Sequence, residues 1–170
     1  NANFGSLTEA TITLIDNDPG ECIVSNAQDD TIIDCYWDNT GNTLENVTIT
    51  ELGTLVGGKL GGENENQGII QDVTFLANTL IRGGQFGGIV RGNISTESSE
   101  RAILSYLTVA ADSTLANVVV GSGSQLANNV TLNKGVVFEY NNSIPYRANL
   151  ETLLGKISTP YLEIDAIRLT

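Results

Sequence analysis

Histidine and methionine are missing from this 170-residue chain, and basic residues are scarce: 8 Lys and Arg stand against 20 Asp and Glu, a formal net charge of −12. Without histidine there is no ordinary general base at neutral pH and no imidazole for a metal. With so few cations the chain cannot neutralise phosphates, so nucleic-acid binding is excluded as a function class, and an anionic membrane surface would repel it. No apolar run approaches the ~18 residues of a membrane helix, so membrane insertion is not expected. The missing initiator methionine leads us to expect a processed piece of a longer precursor. Only 3 prolines are present, and aromatics make up 6%.

What remains is rich in turns and in β-formers. There are 18 glycines and 41% apolar residues, with Val, Ile, Thr and Leu dominating the ordered-looking stretches and Asn and Gly between them, a mixture that favours strands joined by tight corners. The length suits one domain with a real core. Two cysteines, Cys22 and Cys35, do not form a CxxC motif and have no histidine to make a zinc site. A disulfide closing a short loop, worth about 3 kcal/mol in the loop-entropy picture, is the simplest reading, with two buried thiols as the alternative. The disulfide points to an oxidising compartment, hence a secreted or cell-surface protein. Acids are concentrated early: Lys59 is the first basic residue, and the stretch from Asp16 to Asp38 holds seven acids, which form either a hydrated surface or oxygen ligands for a hard cation.

An internal repeat organises the middle. Leu44–Gly62 aligns with Ile70–Gly88 without a gap. The alignment matches Leu44 with Ile70, Val47 with Val73, Ile49 with Phe75, Leu55 with Ile81 and Leu60 with Phe86, and it superposes two Gly-Gly pairs. A shorter form of the pattern returns at Leu107 and Val109 followed by Leu115, and at Val130 and Leu132 followed by Phe138. The unit is apolar-Thr-apolar, five residues, then apolar. A rhythm of five or six between inward residues fits neither an amphipathic helix nor one long strand, but it does fit short strands separated by corners.

Circuits of that kind, stacked at about 4.8 Å, would pile apolar side chains into one column. This pattern resembles the parallel β-helix, or β-solenoid, families over residues 44–140. The expected core is Val47, Ile49, Leu55, Val73, Phe75, Ile81, Leu107, Val109, Leu115, Val130, Leu132 and Phe138. Val47, Val73, Leu107 and Val130 are expected in single file, and Thr48, Thr74, Thr108 and Thr131 in one outward row. Loops are expected to project at 63–68 and 93–101, and Asn128 and Asn129 to extend corner ladders. An ordinary β-sandwich is the alternative.

At the N-terminus, Ala10, Ile12 and Leu14 alternate with Thr11 and Thr13, and Asp16-Asn17-Asp18-Pro19-Gly20 reads as a turn. This segment resembles the closing strand of a Calx-beta domain. The resemblance implies calcium held through Asp16 and Asp18; no other cofactor is expected. Such a strand needs a sheet. It can pair within the chain, for example with Tyr161–Leu169, where Leu162 and Ile164 alternate with acids, or it can add to a neighbouring subunit. Near the C-terminus, Asn149 could cap a short helix over Leu150, Leu153 and Leu154, ended by Gly155.

Catalytic patterns fit this architecture poorly. A polysaccharide-cleaving β-helix needs acids and bases gathered on one groove. The candidates Asp72, Arg82, Arg91, Glu100, Arg101 and Asp112 read better as surface decoration. The serines have no histidine partner, and the Gly-Gly pairs lack the Lys-Ser/Thr of a phosphate loop. Asn-x-Ser/Thr triplets at Asn46, Asn93, Asn129 and Asn141 arise easily in so Asn- and Thr-rich a chain.

The expectation is therefore an all-β parallel β-helix of about four rungs with terminal strands and small caps. It divides into an N-terminal strand (1–20), a cysteine-bearing cap or first rung (21–43), the β-helix (44–140) and a C-terminal cap and strand (141–170). The expected role is structural and non-enzymatic, with self-association through the terminal strands. The alternatives are a carbohydrate-binding or polysaccharide-degrading β-helix, whose aromatics are scattered in sequence, and a calcium-stabilised adhesin spacer.

Overall fold

A computed structural model describes residues 12–15, 21–25, 30–32, 36–50, 53–139 and 155–158, with only the backbone described at the first three stretches. The described chain is a parallel β-solenoid of six turns, each contributing one short strand to each of three faces. Three strands precede the coil: β1 (Ile12–Ile15), β2 (Glu21–Ser25) and β3 (Asp30–Ile32). The first turn is β4 (Tyr36–Asp38), β5 (Thr43–Glu45) and β6 (Val47–Ile49), and the second is β7 (Thr54–Val56), β8 (Lys59–Gly61) and β9 (Glu63–Asn66). The third turn is β10 (Ile69–Gln71), β11 (Thr74–Phe75) and β12 (Leu80–Gly83), followed by β13 (Ile89–Arg91), β14 (Asn93–Thr96) and β15 (Ala102–Ser105). The fifth is β16 (Thr108–Val109), β17 (Thr114–Ala116) and β18 (Val118–Val120), and the sixth is β19 (Gln125–Leu126), β20 (Thr131–Leu132) and β21 (Val137–Phe138).

Register fixes the length of a turn. Along the first face Tyr36 pairs with Thr54, and then come Ile69, Ile89, Thr108 and Gln125, each one turn beyond the last. The turns are unequal, shortest from Thr54 to Ile69 and longest from Ile69 to Ile89. This register corrects the count of four rungs to six. It also corrects the internal alignment. Leu44 lies on β5 of the second face and stacks on Leu60, whereas Ile70 lies on β10 of the first face between Leu55 and Val90. From β5 to β10 is five strands, which is not a whole number of three-stranded turns. The alignment matched because every face repeats the same short apolar-polar-apolar pattern.

The expected single file breaks for the same reason. Val47 belongs to the third face, Val73 precedes β11 on the second, Leu107 precedes β16 on the first, and Val130 precedes β20 on the second. All four are buried, but they do not share one column. The threonine row dissolves likewise, since Thr48, Thr74, Thr108 and Thr131 are spread over three faces.

Three inward columns meet in one core. The first face contributes Trp37, Leu55, Ile70, Val90, Val109 and Leu126, one directly over another. The second contributes Leu44, Leu60 and Phe75, then Ile94, Leu115 and Leu132 two residues out of line. The third runs Val47, Asn64, Ile81, Leu104, Val120 and Phe138. Ile49, Leu55, Phe75, Ile81, Val109, Leu115 and Leu132 are buried, while Phe138 is half-buried at the last turn. Each fully buried Leu, Ile, Val or Phe contributes about 1.5–3 kcal/mol, so the column as a whole carries the fold.

Neither expected loop is wholly a loop. Residues 63–66 form β9 and residues 93–96 form β14, leaving bends at 67–68 and 97–100. The strand β9 reads Glu-Asn-Glu-Asn with both asparagines buried. Asn64 accepts the Val47 N–H at 2.7 Å and donates to the Gly61 carbonyl at 2.9 Å, and Asn66 accepts the Gly68 N–H at 3.1 Å and donates to the Ile89 carbonyl at 3.2 Å. Corner backbone satisfies these amides, so they can point inward at little cost.

Corners are built by left-handed residues that interlock between turns. Asp72 has φ 53°, and its carboxylate accepts the Asn93 N–H of the next turn at 2.8 Å. Gly92 lies over it, where a Cβ would stand 2.2 Å from the same carboxylate oxygen. Asn46, at φ 54°, repeats the device: it accepts the Glu63 N–H at 3.0 Å beneath Gly62. A short polar side chain tolerates the left-handed region, and glycine leaves it room.

Candidate functional site

Two parts of the molecule present chemistry outward: the ends of the coil and one of its long corners. At the beginning, β3 pairs parallel with β6, β2 antiparallel with β3, and β1 antiparallel with β2, so the third face continues three strands past the coil. Ile12 and Leu14 face Val24 and Cys22 in that pairing. One in-chain partner of β1 is thus β2, while Tyr161–Leu169, the example of a partner offered from the sequence, lies outside the described residues. No second strand pairs with β1 among the described residues. At the other end, Ile157 makes a parallel bridge to Val130, with the Val130 N–H donating to Lys156 and the Ser158 N–H donating to Val130, each at 3.0 Å.

Several sequence-predicted residues lie outside the described set. These are Ala10, Asp16, Asp18, Cys35, Leu162 and Ile164, together with the helix over 149–154; of Cys22 only the backbone is described. Neither the disulfide nor the calcium ligands can therefore be placed. Among the described residues no three His, Cys, Asp or Glu side chains gather as a metal site would require. No helix among them is long and apolar enough to cross a membrane.

Of the acids and bases named as catalytic candidates, Asp72 and Arg91 are bridged by Gln71, and the Nε of Arg101 is buried without a hydrogen-bond partner. Asp72 supports its corner, Arg82 reaches Glu63 at 3.2 Å on the third face, and the Arg91 Nε–H donates to Gln71 at 2.7 Å on the first. Glu100 accepts from Asn78, and Asp112 from Asn129. Lys59 and Glu97 pair at 2.7 Å across two turns of the second face. The carboxyl of Asp38 is held below the usual carboxylate range, first by the Thr40 hydroxyl and then by the Thr40 N–H. None of these groups converges with another acid on one groove.

The aromatics sort differently from their order in sequence. Trp37 is buried, whereas Tyr36, Phe86 and Tyr106 are 58%, 70% and 62% exposed. Phe86 is the correction here: paired with Leu60 as an inward residue, it stands instead on a turn at the corner between the third and first faces. Its neighbours Gly83-Gly84 and Gly87-Gly88 let the chain turn tightly, with the Gly87 N–H donating to Gly84 at 2.9 Å.

Tyr106 occupies the same corner one turn later. Thr108 pairs with Ile89 below and Gln125 above, so Tyr106 is level with Gly87 and Gly123. All three have left-handed backbones, with φ 54° at Tyr106, 73° at Gly87 and 74° at Gly123. A bulky side chain there costs about 1–2 kcal/mol that glycine avoids. The ring returns no core burial for that cost. It leans over Gly123, where a Cβ would stand 2.4 Å from Cδ1. Ile89, 40% exposed, begins the strand after Phe86. Among the described residues, three of the four exposed large apolar side chains thus share one stretch of corner. The only sequence trace of this cluster is an aromatic where neighbouring turns carry glycine, and it becomes visible once the register is known.

No family model matches the chain, and neither curated proteins nor solved structures include a match.

Proposed function

We propose that this chain is a structural, non-enzymatic module of an extracellular or cell-surface assembly, in which copies join end to end through their terminal strands. The observation that carries the reading is the continuation of the third face beyond the coil to β1, whose outer edge has no strand partner among the described residues. An open edge offers a row of N–H and C=O groups on which a strand of another copy can add. The acidic surface would keep such assemblies dispersed or let divalent cations bridge them. In the same reading, the likeness of the N-terminal strand to the end of a Calx-beta domain makes Asp16 and Asp18 calcium ligands, and calcium would raise the melting temperature.

Sedimentation velocity of the intact chain and of a chain lacking residues 1–18 tests the assembly. The intact chain should sediment as an oligomer and the shortened one as a monomer. Monomers in both cases, or an oligomer indifferent to the deletion, would overturn it.

A further inference from the structure

We infer that the junction between copies pairs β1 of one with β21 of the next, in parallel, so that copies stack head to tail and the third face runs on as one sheet. The inference rests on the end-to-end reading above and names the partner edge that reading leaves open. β1 and β21 are the two outermost strands of the same nine-stranded sheet, and neither has a second strand beside it among the described residues. The second face is already taken at that end of the coil, since Ile157 bridges to Val130.

Strand direction selects the pairing. β1 runs antiparallel to β2 and β2 antiparallel to β3, while β3 and every later strand of this face are parallel to one another. Two reversals cancel, so β1 points the same way as β21. A second copy displaced along the coil axis therefore brings its β1 to β21 in the parallel sense that the coil uses at every turn. Two β1 edges would meet only with one copy turned end for end, an isologous pairing that stops at a dimer.

The open backbone groups and the inward column fit the same pairing. The Glu139 N–H donates to Val120 of β18 at 2.9 Å. Successive residues of a parallel strand point their N–H groups to opposite sides, so that of Phe138 is directed to the free edge. Phe138 also ends the column of Ile81, Leu104 and Val120, and it alone of the four is only half-buried. On β1, Ile12 is in register with Val24, Ile32 and the buried Ile49. Ile12 and Leu14 thus hold positions on the inward side, and an added β1 sets apolar residues over Phe138. Neither strand carries a charge in a chain of net charge −12, so repulsion between copies is not concentrated at the junction.

Sedimentation velocity over a range of concentrations, on full chains carrying Ile12→Lys, Phe138→Lys or both, tests the junction. The parent should grow beyond a dimer as concentration rises, because a head-to-tail junction does not close on itself. A charge on the inward side of an edge strand blocks strand addition, so each single variant should associate about tenfold more weakly or worse. Mixing the two should restore a one-to-one dimer, through the intact β1 of Phe138→Lys and the intact β21 of Ile12→Lys, and the double variant should join neither. Isotope-filtered NOEs in a half-labelled parent sample need no variant, and should link Phe138 with Ile12 or Leu14 of another copy. A parent that stays monomeric overturns the end-to-end reading and this inference with it. If the parent assembles and Phe138→Lys assembles equally far, only the inference falls. β1 would then join a second β1, or residues 159–170 of the same chain would lie along β21. Assembly of the parent without the intermolecular NOEs overturns it as well.

Discussion

The second and fifth turns fill the same face of the coil with opposite chemistry. In β18 the inward residues are Val118 and Val120, and in β9 they are Asn64 and Asn66, yet all four are buried and both strands keep parallel register with their neighbours. The valines contribute by leaving water. The asparagines contribute by closing five backbone hydrogen bonds at the corners, two of which reach into other turns. In these two strands an inward side chain leaves no unsatisfied group, and apolarity is one of two ways to meet that condition. Elsewhere Asn39 Oδ1 and Ser113 Oγ are buried without a partner.

The comparison is sharpened first by a position where only apolarity serves. Ile81 stacks on Asn64 below and Leu104 above. Ile81→Ala should cost about 3–4 kcal/mol in urea unfolding, because stacked turns cannot collapse sideways to fill the gap. A loss under about 1 kcal/mol would mean the column is loosely packed.

Exchanging the two chemistries comes next. Val118→Asn places an amide where no corner backbone is arranged to receive it and should cost about 3 kcal/mol. Asn64→Val keeps the interior apolar but strands the buried Val47 N–H, and should cost about 2 kcal/mol by the same measurement. If Asn64→Val proved neutral, the two-chemistry account would break, since the amide would then be replaceable by simple burial.

These two strands also show how far the sequence could be read. Alternating Leu, Ile, Val and Phe with glycine at the corners was enough to recognise a coil of stacked short strands. The number of turns was not readable, because Glu63–Asn66 has the composition of a loop and hides one strand of the second turn. Register was not readable either, because three faces carrying one pattern let Leu44 match Ile70 as well as its true neighbour Leu60. Phe86 was misplaced through that error. Tyr106 acquires meaning only beside Gly87 and Gly123, which the register brings level with it on the turns before and after.

A smaller effect is expected at the corners. In Gly62→Ala, a Cβ would stand 2.1 Å from Asn46 Oδ1 at a backbone φ of 70°. The cost should be about 1–2 kcal/mol. Adding Asn46→Gly should recover part of it by removing the clash, and a double-mutant cycle reads that coupling. Purely additive losses would contradict the interlock between turns.

The smallest effect belongs to Asp38 on the first turn. Its folded pKa lies below the ordinary 3.8, chiefly through the Thr40 hydroxyl. The stabilisation is therefore present above that value and is lost as the pH falls through the lower folded pKa. Asp38→Asn should lower stability slightly at neutral pH, flatten the acid limb of the stability curve and leave the most acidic end nearly unchanged. An unaltered acid limb would show that the Thr40 contact does not persist in solution.

The length of a turn is what every column, corner and edge depends on, and amide-resolved NOE spectroscopy measures it directly. Contacts should link Leu55 with Ile70 and Ile70 with Val90, each pair one turn apart on the first face. Contacts linking Leu44 with Ile70 and Val47 with Val73 instead, as the internal sequence repeat alone would pair them, would contradict the six-turn coil.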